Sequence, residues 1–143
     1  MHCAENLEAF GRRYAAAWCS QDPDRVAAHF ADNGSLRVNA DPPAIGRLAI
    51  AVVANGFMTA FPDMRVLMDE VADQPEGSVF RWTLIGTNTG PGGTGHRVHI
   101  SGYEVWRLDA NGLIAESQGH FDAAEYERQL RYGASATERV SDG

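Results

Sequence analysis

Gly95–Phe121, GHRVHISGYEVWRLDANGLIAESQGHF, followed by Asp122, reads as strand, turn, strand and helix start. Asp109-Ala110-Asn111-Gly112 breaks the first run, and Leu113–Phe121 forms the second. On the first strand, Val98, Ile100, Gly102, Trp106 and Leu108 share one face by the two-residue period. Glu104 falls on that same apolar face. Burying a lone carboxylate costs several kcal/mol or more, so Glu104 must find a partner or hold a proton. This conflict makes it the first candidate for chemistry.

Upstream, Ala4–Ser20 carries Leu7, Phe10, Tyr14, Ala17 and Trp18 as one helical stripe. Asp22-Pro23 offers a cap and a first-turn proline for a second helix, Pro23–Phe30. Asp32-Asn33-Gly34 reads as a turn and Ser35–Asn39 as a short strand. Asp41-Pro42-Pro43 breaks the chain before a third helix, Ile45–Phe61, with apolar Leu48, Val52, Val53, Phe57 and Phe61. Met64–Asp73 and Ser78–Thr89 read as strands joined by the turn Gln74-Pro75-Glu76-Gly77. Gly90–Gly95 is a hairpin loop, Asp122–Tyr132 a closing helix, and 133–143 a polar tail expected to be disordered. Three helices with one inserted strand, then four antiparallel strands and a helix, predict an α+β fold. Its curved, mostly antiparallel sheet wraps the helices as a cone with an apolar interior. Residues 1–132 form one domain in this reading.

At 143 residues the chain can bury roughly two-thirds of its unfolded surface in one core. The net charge of −7, with no lysine and twelve arginines, argues against a nucleic-acid partner. No apolar stretch reaches the roughly 18 residues that span a bilayer, and no secretory signal pattern opens the chain. Cys3 and Cys19 are expected as free thiols in a cytoplasmic protein.

Four stretches carry a family resemblance over roughly residues 5–131. They are Arg13–Trp18 with Asp22–Asp24 and Ala28–Asp32; Ala60–Val66; Val79–Gly90, ending in Gly-Thr-x-Thr-Gly; and Gly102–Leu108 with Asn111–Glu116. Together they resemble the SnoaL-like polyketide cyclase branch of the NTF2-like (cystatin-like α+β barrel) superfamily. The resemblance implies an NTF2-like cone and a small-molecule pocket. It leaves the activity open, because this scaffold hosts isomerases, cyclases, hydrolases and inert ligand binders.

Ketosteroid isomerases of that superfamily place an acid near Glu104 and a carbonyl-polarising tyrosine near Tyr14. By this likeness Glu104 acts as a held acid or as a base, and Tyr14 as its pocket partner. The bland readings are a structurally paired carboxylate and a core aromatic. Val38 stands where those isomerases carry their proton-shuttling aspartate, which disfavours their reaction here. The strand aspartate that polyketide cyclases use as base is also missing, since Gln118, Gly119 and His120 stand at that level. His120, sharing the parity of Ile114, Glu116 and Gln118, is expected as its replacement, its ordinary pKa of about 6.5 suiting proton transfer. A structural histidine is the alternative. Asp122, with Glu125 three residues on, has capping-box spacing.

The expected pocket wall consists of Trp18, Phe30, Phe57, Phe61, Trp82, Asn88, Trp106 and Gln118, with Phe80 and Phe121 lining or plugging the cone. Such a wall suits a small apolar organic ligand, ring-containing ones included. No metal and no other cofactor are expected. His96 and His99 point to opposite strand faces, and Gly90–Gly95 opens no helix that could hold a phosphate. The reading is therefore a cofactor-independent acid–base enzyme of cyclase, isomerase, lyase or hydrolase type, or else a non-catalytic ligand-binding or dimerisation domain. Outward-facing Ile85, Tyr103 and Val105, rimmed by arginines and hydroxyls, predict a homodimer through the sheet.

Overall fold

A computed structural model describes residues 6–134 of the chain. Helix α1 (Leu7–Cys19) starts at Asn6, whose side chain accepts from the Ala9 amide, and buries Phe10, Tyr14, Ala17 and Trp18. Helix α2 (Pro23–Ala27) is capped by Asp22 and has proline in its first turn, as its sequence dictates. Strands β1 (Phe30–Val38) and β2 (Ala44–Ile45) precede α3 (Arg47–Ala60). Then come β3 (Arg65–Gln74), β4 (Gly77–Thr87), β5 (Arg97–Leu108), β6 (Ile114–Phe121) and α4 (Ala123–Tyr132).

The strands form one open six-stranded sheet in the order β2-β1-β6-β5-β4-β3. Strands β3 to β6 are antiparallel neighbours, as expected, while β1 joins β6 in parallel and makes the sheet mixed. Helix α1 packs on β3, α2 on α3, α3 on β1 and α4 on β5, which sets the helices against the curved sheet. The fold is the expected α+β cone.

Local expectations are corrected in three regions. The second helix stops at Ala27, and Phe30 already pairs with Ile114 as the first residue of β1. Asp32-Asn33-Gly34 is an irregularity inside that strand, where the register shifts between Phe30 and Ser35. Second, two residues after Pro42-Pro43 form β2, which pairs antiparallel with Ser35 and Leu36. Third, α3 buries Ile50, Ala54 and Met58, whereas Leu48 and Val52 are 85% and 69% exposed. This helix is apolar nearly all round, so spacing alone does not select its inner stripe. Of the expected tail, Gly133 caps α4 with φ 87. Residues 135–143 lie outside the described ones.

Candidate functional site

The predicted parity of β5 holds: Val98, Ile100, Glu104 and Trp106 are all buried. Trp106 follows Glu104 by one strand period, and its indole Nε1 donates to Glu104 Oε1 at 2.8 Å. Ser117, paired with Trp106 across β5 and β6, donates its hydroxyl to the same Oε1 at 2.8 Å. The Tyr14 hydroxyl reaches over from α1, 3.0 Å from Oε1 and 3.2 Å from Oε2. Burial pushes the Glu104 carboxyl above the usual glutamate range, and the donors from Trp106, Ser117 and Tyr14 only partly offset that rise. Burial, then the charge of Glu104, hold the Tyr14 hydroxyl well above its ordinary value, so it stays a neutral phenol. The structure thus joins Tyr14 and Glu104, and among the described residues no arginine enters the cage.

The second strand departs from expectation at Ala115. Arg107 pairs with Glu116 and Leu108 with Ile114, leaving Ala115 as a bulge. An extra residue reverses every later side chain, so Ser117, Gly119 and Phe121 turn inward. Glu116, Gln118 and His120 turn outward. His120 is exposed, and its ring lies 4.9 Å from that of Tyr103 on the outer face. Gln118 donates to Glu116 there at 2.7 Å. The expected pocket positions of His120 and Gln118 are thereby corrected.

Beside Glu104 lies a cavity of about 60 Å³. Trp18 of α1, Phe57 of α3 and Tyr126 of α4 close its helical side. Leu36 and Val38 come from β1, Val66 from β3, and Phe80, Trp82 and Leu84 from β4. Ile100, Glu104, Gly119 and Phe121 complete the wall. Trp18, Phe57 and Trp82 take their expected places. Tyr14, Phe30, Phe61 and Trp106 are not on the cavity wall, and all four are fully or almost fully buried. Asn88 is also absent from the wall, because it organises the glycine-rich loop. Its Oδ1 accepts from the Thr94 amide at 2.8 Å and its Nδ2 donates to the Ala60 carbonyl at 3.1 Å.

Ile100 lies on the face that the two-residue period of β5 marks as apolar, while Leu36, Val66 and Leu84 join the wall without having been singled out in the sequence. Tyr126 had no such signal, since only the docking of α4 brings it against Phe121, ring centroids 5.4 Å apart. The Trp82 ring fits because Gly102 faces it across the ladder: a Cβ at Gly102 would stand 2.6 Å from Trp82 Cζ2. Trp82 Nε1 is buried without a hydrogen-bond partner among the described residues. Among the described residues Glu104 is the one carboxyl on the wall, and no arginine, histidine or cysteine joins it. Among the described residues no three His, Cys, Asp or Glu side chains converge to hold a metal ion. No helix among them is long and apolar enough to cross a membrane.

An apolar cavity with one raised-pKa carboxyl can desolvate a small molecule and exchange a proton with it. The profile of the SnoaL-like polyketide cyclase family matches residues 8–130. No curated protein matches the chain. Among solved structures, the chain is similar to a protein from Catenulispora acidiphila with a ketosteroid isomerase-like fold, in complex with trimethylamine. That likeness has a TM-score of 0.74 at 15% identity and covers 85% of this chain and 91% of the other. A putative SnoaL-like polyketide cyclase from Jannaschia sp. CCS1 gives 0.71 at 14% identity, covering 88% and 94%. SalBIII, an epoxide hydrolase/cyclase-like enzyme of pyran ring formation in the polyether salinomycin, gives 0.72 at 17% identity, covering 87% and 96%.

Proposed function

The chain belongs to the SnoaL-like polyketide cyclase family, and we propose that it binds a compact, mostly apolar organic molecule and isomerises it, ring closure included, by acid–base chemistry without a cofactor. The observation that carries this reading is Glu104, the one carboxyl that the described residues place on the wall of an otherwise apolar cavity, buried there with its pKa raised by that burial. One group that gives a proton and takes one back leaves the reaction proton-neutral overall, as an isomerisation is. In the ring-closing form, the Glu104 proton goes to an epoxide oxygen as its carbon–oxygen bond breaks. A hydroxyl of the same molecule forms the new carbon–oxygen bond, and its proton returns to Glu104. The likeness to SalBIII favours this chemistry. The cavity volume favours the small end of such substrates.

A five-carbon chain bearing a terminal epoxide and a terminal hydroxyl tests the reading. Its conversion to cyclic ether is expected to run faster with the protein than in buffer. Glu104→Gln is expected to lower that rate by about 100-fold or more, the usual range for a general acid. Binding of the probe without acceleration would leave the second reading, a ligand-binding domain. One observation favours that alternative: among the described residues no second ionisable side chain other than the Tyr126 phenol stands on the wall to share the work.

Assembly and compartment belong to the same proposal. Arg81 lies 5.4 Å from the Tyr103 ring, which also meets His120, so the outer face presents an arginine–aromatic stack of the kind interfaces favour. A two-fold dimer through this face is the simplest closed assembly. A cytoplasmic setting is supported by Cys19, a free thiol bonded to the Val66 backbone.

A further inference from the structure

The cage around Glu104 is lopsided. Three donors converge on Oε1, from Trp106 and Ser117 at 2.8 Å each and from Tyr14 at 3.0 Å. Oε2 receives only the longer arm of the Tyr14 contact, at 3.2 Å. A cage that merely satisfied a buried carboxyl would spread its donors over both oxygens, because each oxygen left bare in an apolar interior is penalised.

The indole N–H has no acceptor capacity, so Oε1 must offer it a lone pair whether Glu104 is charged or neutral. A proton on Oε1 would have to turn the Ser117 or the Tyr14 hydroxyl from donor to acceptor, whereas Oε2 takes a proton with the cage as it stands. Trp106 is 1% exposed and Tyr14 and Ser117 are 0% exposed, so water does not compete for these bonds. Ser117 owes its place to the Ala115 bulge, without which its hydroxyl would face outward.

Building on the reading of Glu104 as the acid of the cavity, we infer that Trp106 and Ser117 are positioning residues: they hold Oε1 as a permanent acceptor, so that the exchangeable proton resides on Oε2, the oxygen left to meet a ligand. Neither side chain touches the cavity, so both act through Glu104. They fix which carboxyl oxygen carries the proton and lock the orientation of the group. In the neutral acid, Oε1 is then the carbonyl oxygen, accepting several hydrogen bonds.

Infrared spectroscopy of the full chain reads this directly, since hydrogen bonds to a carbonyl oxygen lower its stretching frequency. The protonated carboxyl band of Glu104 is identified by its loss in Glu104→Gln. Ser117→Ala and Trp106→Phe are each expected to move the band to higher frequency, and Ser117→Thr, which keeps the hydroxyl, to restore it. Ser117→Ala is also expected to raise the pH at which the band disappears, because the carboxylate loses a donor. A merely structural role would lower stability without moving either readout. A band unmoved by Ser117→Ala places the proton on Oε1 and overturns the inference, while leaving Glu104 as the acid. No Glu104 carboxyl band at any pH where the chain is folded overturns the acid reading itself and this inference with it. Should Trp106→Phe fail to fold, the Ser117 pair of variants decides alone.

Discussion

At the residue scale, Glu104 announces itself as a charge-capable side chain on an apolar strand face, and it is buried there. Its three donors were not all legible. Trp106 could be placed by parity and Tyr14 by resemblance, but Ser117 sits on a face that only the bulge decides. The raised carboxyl pKa has a consequence for folding. A group that holds its proton more tightly when folded contributes most below the unfolded value, about 4.3, and loses that contribution as pH rises through the folded value. Glu104→Gln cannot ionise, so its stability relative to the parent chain is expected to improve with rising pH over that window. The slope is at most about 1.4 kcal/mol per pH unit. Urea denaturation of both proteins across the acid and neutral range measures it, and parallel stability curves contradict the buried-acid description.

At the element scale, strands with a clean two-residue period matched their predicted faces, as β5 does from Val98 to Trp106. The errors fall where a register shifts. In β6 the Ala115 bulge exchanges His120 for Ser117 inside the cone, and in β1 the shift near Gly34 turns an expected loop into strand. A Cβ at Gly34 would stand 2.7 Å from the Ile114 carbonyl oxygen, so the irregular strand presses close against β6. Gly102 is a second close approach. A Cβ there meets the His120 carbonyl oxygen on one side and Trp82 Cζ2 at 2.6 Å on the other. Gly102→Ala is expected to cost about 2 kcal/mol, as overpacking does, and to displace the Trp82 ring. Denaturant midpoints and the shift in tryptophan emission test this. An unchanged emission maximum would show that the ring does not depend on Gly102.

At the scale of the whole molecule, the outer sheet face carries the dimer proposal. Sedimentation at micromolar concentration is expected to give twice the 15.5 kDa chain mass. Tyr103→Asp, which places a charge at the centre of the arginine–aromatic stack, is expected to give the monomer. A parent chain that sediments as a monomer ends the proposal, and a dimer that survives Tyr103→Asp moves the interface elsewhere. The α+β class, the order of the four helices and the antiparallel run from β3 to β6 were determined by the sequence alone. Each rests on local periods, caps and turns that a chain carries in any context. The pocket wall and the Glu104 cage were decided by the tertiary structure. A bulge is one residue of misregister between two strands, and the docking of α4 is a packing choice among amphipathic faces. Neither leaves a period in the chain, so only the assembled sheet and helices show that Ser117 and Tyr126 face inward while His120 and Gln118 face out.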